Sequence, residues 1–366
     1  MSWTETTTRP RPAALEATTL PDAFARTVAE RPADVWLRSA GPEGAAITWE
    51  DAAGRVARLA GGLETIGVGR GDVVAVALAG SPELHLVDLA VQHLGAAALQ
   101  LGASPADDAA ALVDAAGARV AVTHAGAIAG ISGATALTHV VSVDGGEGST
   151  ATLDALESGA GDGIDLAAAT AALTGDDVAA VLVEDGAPVR RTHGELLAAL
   201  VRVEDESSPA LGGRIVTSLP ATTAGVRTVD VDAAIAFGLE VTCAPGPDDL
   251  AATVAAVRPT RLLAPAPLLE ALRADVESAA AESSDVAAAL RAGFDTDDAI
   301  QAGCPPQFHP GPGPEFEALL LAARERLGLD ALEWLGADAS ADRELLRVLR
   351  AIGVPGVEPW AVAPAA

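Results

Sequence analysis

Lysine and tyrosine are absent from the 366 residues, and all 23 basic side chains are arginine. A chain without lysine cannot carry the lysine of a P-loop, a Schiff base or a Ser-Lys dyad. Two cysteines, Cys243 and Cys304, are too few for a disulfide framework or a Cys-x-x-Cys zinc site, and point to a reducing cytoplasm. No uninterrupted apolar run approaches the roughly 18 residues of a membrane-spanning helix. The polar, Thr-rich stretch Met1 to Arg11 lacks the apolar segment of a signal peptide. Basic charge is scarce: 51 acidic residues leave a net charge of −28. Nucleic acid and anionic membranes are therefore not expected partners.

What is present is apolar. Half the residues are hydrophobic and the mean hydropathy is +0.31, enough for a sizeable core. Residues 1–18 read as a flexible tail and 19–366 as one domain. A helix opens near Thr19 and Pro21 with Phe24 and Val28 inward, and Trp36 sits in an extended piece. A second helix runs from Thr48 to the Gly67 stop. Val73 to Leu78 reads as a buried strand, followed by Ser81 as cap, Pro82 at the first helical position and a helix to Gly95.

Strands at Ala97–Leu101, Arg119–Thr123 and His139–Val143 continue the alternation, with a helix at Pro105–Ala116. Residues 144–176 read as an irregular excursion. Further strands are expected at Val178–Val183, Ile215–Leu219, Glu240–Cys243, Arg261–Leu263 and Ala331–Leu335. Helices are expected at Thr192–Val201, Ala224–Phe237, Asp248–Val257, Pro267–Glu282, Glu315–Leu327 and Ala341–Ile352. Residues 283–314 read as an irregular Pro/Gly-rich loop. Strands alternating with helices imply an α/β fold with parallel sheets flanked by helices.

Three local patterns invite a functional reading. Thr192-His193-Gly194-Glu195 has the Ser/Thr-x-x-Glu form of a capping box. Gly67-Val68-Gly69-Arg70-Gly71 looks like a phosphate loop, but follows a helix and precedes a strand, the reverse of a dinucleotide fingerprint, so it reads as a tight turn. His85 and His93 lie two helical turns apart without a third ligand at metal spacing, and His309 near Cys304 is no better placed. No metal site is expected.

Residues 24–124 resemble the amino-terminal part of the adenylate-forming ligases. The matching phrases are Phe24 to Pro32, Ile47-Thr48-Trp49-Glu50, Arg55-Val56-Ala57 and Gly67-Val68-Gly69-Arg70-Gly71-Asp72. They continue with Ser81-Pro82-Glu83-Leu84-His85, Leu94-Gly95-Ala96 and Gly117-Ala118-Arg119-Val120, all in the family's order. Leu219-Pro220 with Arg227, Ala234 to Gly238, Ala244-Pro245, Asp249-Leu250 and Val257 to Thr260 resemble the long-chain acyl-CoA synthetase branch. The resemblance implies the fold of that superfamily's N-terminal domain, an acyl ligand, and in active members ATP, magnesium and coenzyme A.

The motifs that carry the family's chemistry depart from pattern. The phosphate loop, rich in Thr, Ser and Gly and ending in Pro-Lys-Gly, corresponds to Glu184-Asp185-Gly186-Ala187-Pro188-Val189-Arg190-Arg191. That interval is shorter, has no hydroxyl or lysine, and reads as a surface turn. The relic positions are Glu184, Asp185, Gly186, Thr192, His193, Gly336 and Trp360. Thr223 stands where the family has His, and Leu335-Gly336-Ala337-Asp338 partly matches the adenine-contacting loop. Trp360 to Pro364 keeps only the aromatic of the aromatic-Gly-x-Thr-Glu motif. The sequence ends at Ala366, ahead of where the family's hinge, ribose-binding Asp and lysine-bearing C-terminal domain would stand, and the resemblance implies their absence from this chain. The resulting expectation is a non-catalytic interaction or regulatory subunit that holds no cofactor, paired with a protein partner such as a catalytic relative. The alternatives are an acyl-CoA ligase using divergent residues or a partner's domain, and an acyl-binding module.

Overall fold

Thr19 Oγ1 accepts the Asp22 amide at 3.2 Å and starts α1 (Leu20–Glu30). Thr48 does the same for α2 (Trp49–Thr65), accepting from the Asp51 amide at 3.1 Å; such caps satisfy amides that a helix leaves unpaired. Between the two helices lie β1 (Val35–Ser39) and β2 (Ala46–Thr48). These belong to a computed structural model that describes residues 11–41, 44–78, 80–101, 108–217, 221–244, 246–304, 311–338 and 343–360.

The chain continues through β3 (Val73–Ala77), α3 (Pro82–His93), β4 (Ala97–Gln100), α4 (Ala109–Ala116), β5 (Val120–Thr123), α5 (Ile128–Ile131), β6 (His139–Ser142) and β7 (Ala151–Thr152). Next come α6 (Leu153–Gly159), α7 (Leu166–Ala171), β8 (Val178–Glu184), β9 (Ala187–Thr192) and α8 (His193–Ser207). These strands, without β1 and β2, form one seven-stranded sheet in the order β7-β6-β5-β3-β4-β8-β9, parallel except for the β8/β9 hairpin. Every residue of β3 is buried, as a strand covered on both faces requires.

A second seven-stranded sheet, β14-β13-β12-β10-β11-β1-β2, takes in β10 (Arg214–Thr217), β11 (Glu240–Cys243), β12 (Arg261–Ala264), β13 (Trp334–Asp338) and β14 (Val357–Trp360). It is parallel apart from β1/β2. Its helices are α9 (Ala224–Val226), α10 (Ala233–Phe237), α11 (Leu250–Val257), α12 (Ala266–Glu282), α13 (Ser284–Gln301), α14 (Pro314–Leu327) and α15 (Arg343–Ala351). One apolar cluster reaches from Phe24, Trp36 and Trp49 to Val74, Val122 and Phe237 and joins both sheets. Within it the Trp36 and Trp49 rings stack at 4.6 Å, with Phe24 5.4 Å from Trp36.

The fold is the expected α/β one, with local differences; the strand expected at Ala331–Leu335 runs over Trp334–Asp338. The stretch 144–176 contains β7, α6 and α7, whose starts are capped by Thr152 and by Asp165, the latter accepting from two amides. Residues 284–301 are an 18-residue helix capped by Ser283. Its Gly293 suggests irregularity by propensity, but a Cβ there would collide with the Ala351 carbonyl, so close packing on α15 explains the glycine. Within the stretch expected to be a tail, a 3-10 turn over Ala13–Glu16 buries Ala14 and Leu15. Ser81 stands at the N-cap of α3 without making a capping bond. The helix expected over 224–237 has a π-helical stretch at Arg227–Asp232. The Pro105 end of one expected helix, His309 and the Pro/Gly stretch 305–310 lie outside the described residues.

Candidate functional site

The interval expected to be a turn between strand and helix is a β-hairpin. β8 and β9 pair antiparallel up to Glu184↔Ala187, leaving Asp185 and Gly186 as a two-residue turn with φ of 50° and 76°. Both values are left-handed, the backbone that an Asp-Gly hairpin turn adopts. Across the strands, Arg191 Nη2 donates to both Glu184 carboxylate oxygens at 2.6 and 2.8 Å, and Glu195 stands 3.7 Å from Nη1. The hairpin thus closes on itself with an internal ion pair, while Arg190 is exposed.

Thr192 and His193, the next two positions, make hydrogen bonds that hold α8 in place. Thr192 Oγ1 accepts the Glu195 amide at 3.2 Å and Glu195 Oε2 accepts the Thr192 amide at 2.8 Å, completing the capping box. His193 is fully buried, and its Nδ1 accepts the Leu20 amide at 3.2 Å. Burial, helped by nearby Arg227, pushes its pKa down to about 4. At neutral pH His193 is therefore uncharged and joins α8 to the start of α1.

Between α3 and the π-helical turn lies an ionic cluster that the sequence reading did not single out. Arg227, on the π-helical turn, donates to Asp88 of α3 at 2.9 and 2.8 Å and stands 3.2 Å from Asp232. All three side chains are fully buried. Asp88 also accepts from Gln92 at 2.5 Å and Gln100 at 3.0 Å. One guanidinium cannot neutralise two carboxylates. Burial and the Asp88 charge outweigh Arg227 and push Asp232 up to about 7, so Asp232 takes up much of the excess proton. Burial opposes the charge on Arg227, but Asp232 and Asp88 together raise its pKa. The available signal was Asp88, Gln92 and two histidines in a helix that is otherwise apolar after Glu83.

Alongside the cluster is a cleft of about 10 Å³ lined by Ser81, Leu84, His85, Thr217, Ala221 and Asp230 among others. It has room for one water-sized group. Asp230 accepts from Thr217 Oγ1 at 2.9 Å, and burial raises it to about 7. His85 is held down to about 4, chiefly by burial. His93, bonded through Nδ1 to the Leu89 carbonyl at 2.8 Å, is lowered to about 4 for the same reason. The two helical histidines are thus neutral core residues. Among the described residues no group of three or more His, Cys, Asp or Glu could hold a metal.

On the second sheet, Gly336 lies inside β13, two residues from Trp334 on the same face. A Cβ at 336 would collide with the Trp334 indole. The glycine therefore serves as the bed of a tryptophan that is 4% exposed and packs with Val226, Val229 and Leu263. Arg261 stacks over that ring, its Cζ 4.4 Å from the centroid. Thr223 caps α9, accepting the Val226 amide at 3.4 Å. Trp360 lies in β14 opposite Asp338. The Gly67–Gly71 segment is a tight turn: the Gly69 amide goes to Asp72 at 2.9 Å and the Gly71 amide to Gly95 O at 2.9 Å.

A model of the AMP-binding enzymes matches residues 23–337, and the chain belongs to that family. An uncharacterized protein of Mycobacterium tuberculosis, Rv1549, is 38% identical over 120 residues, which is 32% of this chain and 65% of that protein. The alignment thus spans less than two thirds of this relative. Among solved structures, a long-chain-fatty-acid-CoA ligase from Archaeoglobus fulgidus superposes with a TM-score of 0.61 at 18% identity, over 71% of this chain and 54% of that one. The inhibitor-bound N-terminal domain of FACL13 from Mycobacterium tuberculosis gives 0.67 at 14% identity, over 94% of this chain and 76% of that domain. The fold is that of an adenylate-forming ligase N-terminal domain. Among the described residues no helix is long and apolar enough to cross a membrane.

Proposed function

We propose that this chain is a non-catalytic member of the AMP-binding family, an interaction or regulatory subunit that keeps the family's scaffold without its nucleotide chemistry. The observation that carries this reading is the β8/β9 hairpin. Where the family resemblance calls for a hydroxyl- and lysine-bearing phosphate loop, the chain has the two-residue turn Asp185-Gly186, and its Arg191 is engaged with Glu184. Adenylation develops negative charge on phosphorus, which preorganised donors or cations must meet. Losing one such group typically costs about 10²–10³ in rate, and this chain lacks the loop's hydroxyls and has no lysine at all. The retained relic residues have other work: Thr192 caps, His193 anchors α1, and Gly336 seats Trp334.

The test is pyrophosphate release from Mg-ATP with a panel of fatty acids and coenzyme A. The reading expects none above background. Release that depends on both acid and protein, and survives further purification, supports instead a ligase acting with divergent residues. A lipid found on the native protein by mass spectrometry supports an acyl-binding module.

A further inference from the structure

The Gly67–Gly71 turn borders a cleft of about 190 Å³ at the edge of the first sheet, where β3, β4 and β8 begin. Its walls are Arg70, Gly71, Asp72, Gly95, Ala97, Asp176, Asp177, Val178 and Arg190. The turn is no phosphate cradle, because the amides of Val68, Gly69, Gly71 and Asp72 are all engaged within it or with its neighbours Leu63 and Gly95. Most of the charges are engaged as well. Arg70 bonds Asp177 and the Ala172 carbonyl, Asp177 accepts the Thr174 amide and hydroxyl, and Arg119 bonds Asp72 at 3.2 Å.

Two charges of opposite sign are left over. Arg190 and Asp176 are exposed, line the same cleft, and form no ion pair with each other or with another described residue. β9 carries Arg190 and Arg191 to opposite sides of the strand: Arg191 closes the hairpin, which leaves Arg190 to this cleft. The same cleft is also lined by the small or apolar residues Gly95, Ala97 and Val178.

We propose that this cleft binds a small dipolar molecule of the free α-amino acid class, with its carboxylate on Arg190 and its ammonium on Asp176. The volume lies below the usual 300–1,000 Å³ of pockets for drug-sized ligands, so the ligand is of amino-acid size. A dianion such as phosphate meets one free guanidinium but also the free Asp176, and a simple amine meets the reverse. A dipolar ligand satisfies both. The site lies at the strand-beginning edge of its sheet and does not depend on whether the hairpin handles nucleotide.

The experiment is a calorimetric titration of the full chain with serine and with leucine, against propionate and propylammonium as single-charge controls. The amino acids are expected to bind saturably with Kd near 1 mM, and the controls at least about tenfold more weakly. Arg190→Ala and Asp176→Asn are each expected to weaken amino-acid binding about tenfold or more, with an unchanged melting midpoint because both side chains face solvent. No saturation by about 50 mM amino acid, equal binding of propionate, or binding indifferent to both substitutions would overturn the assignment.

Discussion

Arg227→Met tests what ties the two sheets together, and its effect can be estimated from the geometry. The substitution keeps most of the side-chain volume but removes two hydrogen bonds to Asp88, at 2.9 and 2.8 Å, and the 3.2 Å contact to Asp232. It leaves Asp88, fully buried, with only the amides of Gln92 and Gln100. Breaking a buried pair from one side costs about 3–5 kcal/mol, a large part of the 5–15 kcal/mol that typical folded proteins possess. For a chain this long unfolding as one unit, that is a drop of roughly 4–6 °C in Tm.

The double variant Arg227→Met/Asp88→Asn removes both charges and should regain most of the loss. Urea unfolding followed by the fluorescence of the stacked Trp36 and Trp49 reads all three proteins. A single variant within about 0.5 kcal/mol of the parent, or a double variant no better than the single, refutes the account; the former is the range of an ordinary surface substitution.

Three other outcomes follow from the same structure. Thr192→Ala should cost about 1 kcal/mol by opening the capping box, and an unchanged urea midpoint would count against its role. Gly336→Ala should push the Trp334 indole off its bed at a cost of about 1–3 kcal/mol, visible as a lower Tm and altered tryptophan emission. His85, His93 and His193, with pKa about 4 against an ordinary 6.5, take up protons in the unfolded chain first. They therefore remove stability as pH falls from about 6.5 to 4, while Asp230 and Asp232, near 7 against 3.8, restore some over the window from 7 down to 3.8. Replacing His93 by Leu should flatten the acid side of the urea-midpoint profile, and an identical profile in that variant would contradict the assignment.

The parallel strands were legible because β3, β5 and β8 are apolar runs bounded by turn residues, a pattern set by burial on both faces. The helix starts at Thr19, Thr48 and Thr192 were legible from their caps. The hairpin was missed although Asp185-Gly186 is a strong local turn signal, because the relation of that stretch to a family loop drew the reading towards a surface turn. In sequence α13 is masked by its neighbour, the Pro/Gly-rich run after Cys304; 284–301 itself has no proline and one glycine, Gly293, whose place only contact with Ala351 explains. At the candidate site the relic positions could be located in sequence, but their roles could not. The pairing of Glu184 with Arg191 depends on strand register, and the meeting of Arg227 with Asp88 joins residues 139 positions apart.

The most direct test of the central claim is a calorimetric titration of the intact protein with Mg-ATP. The account predicts no saturable heat up to about 5 mM nucleotide, about five times the upper end of the roughly 1 μM to 1 mM range of common KM values. A clean isotherm that saturates, and that is lost when the Asp185-Gly186 turn is altered, would contradict it.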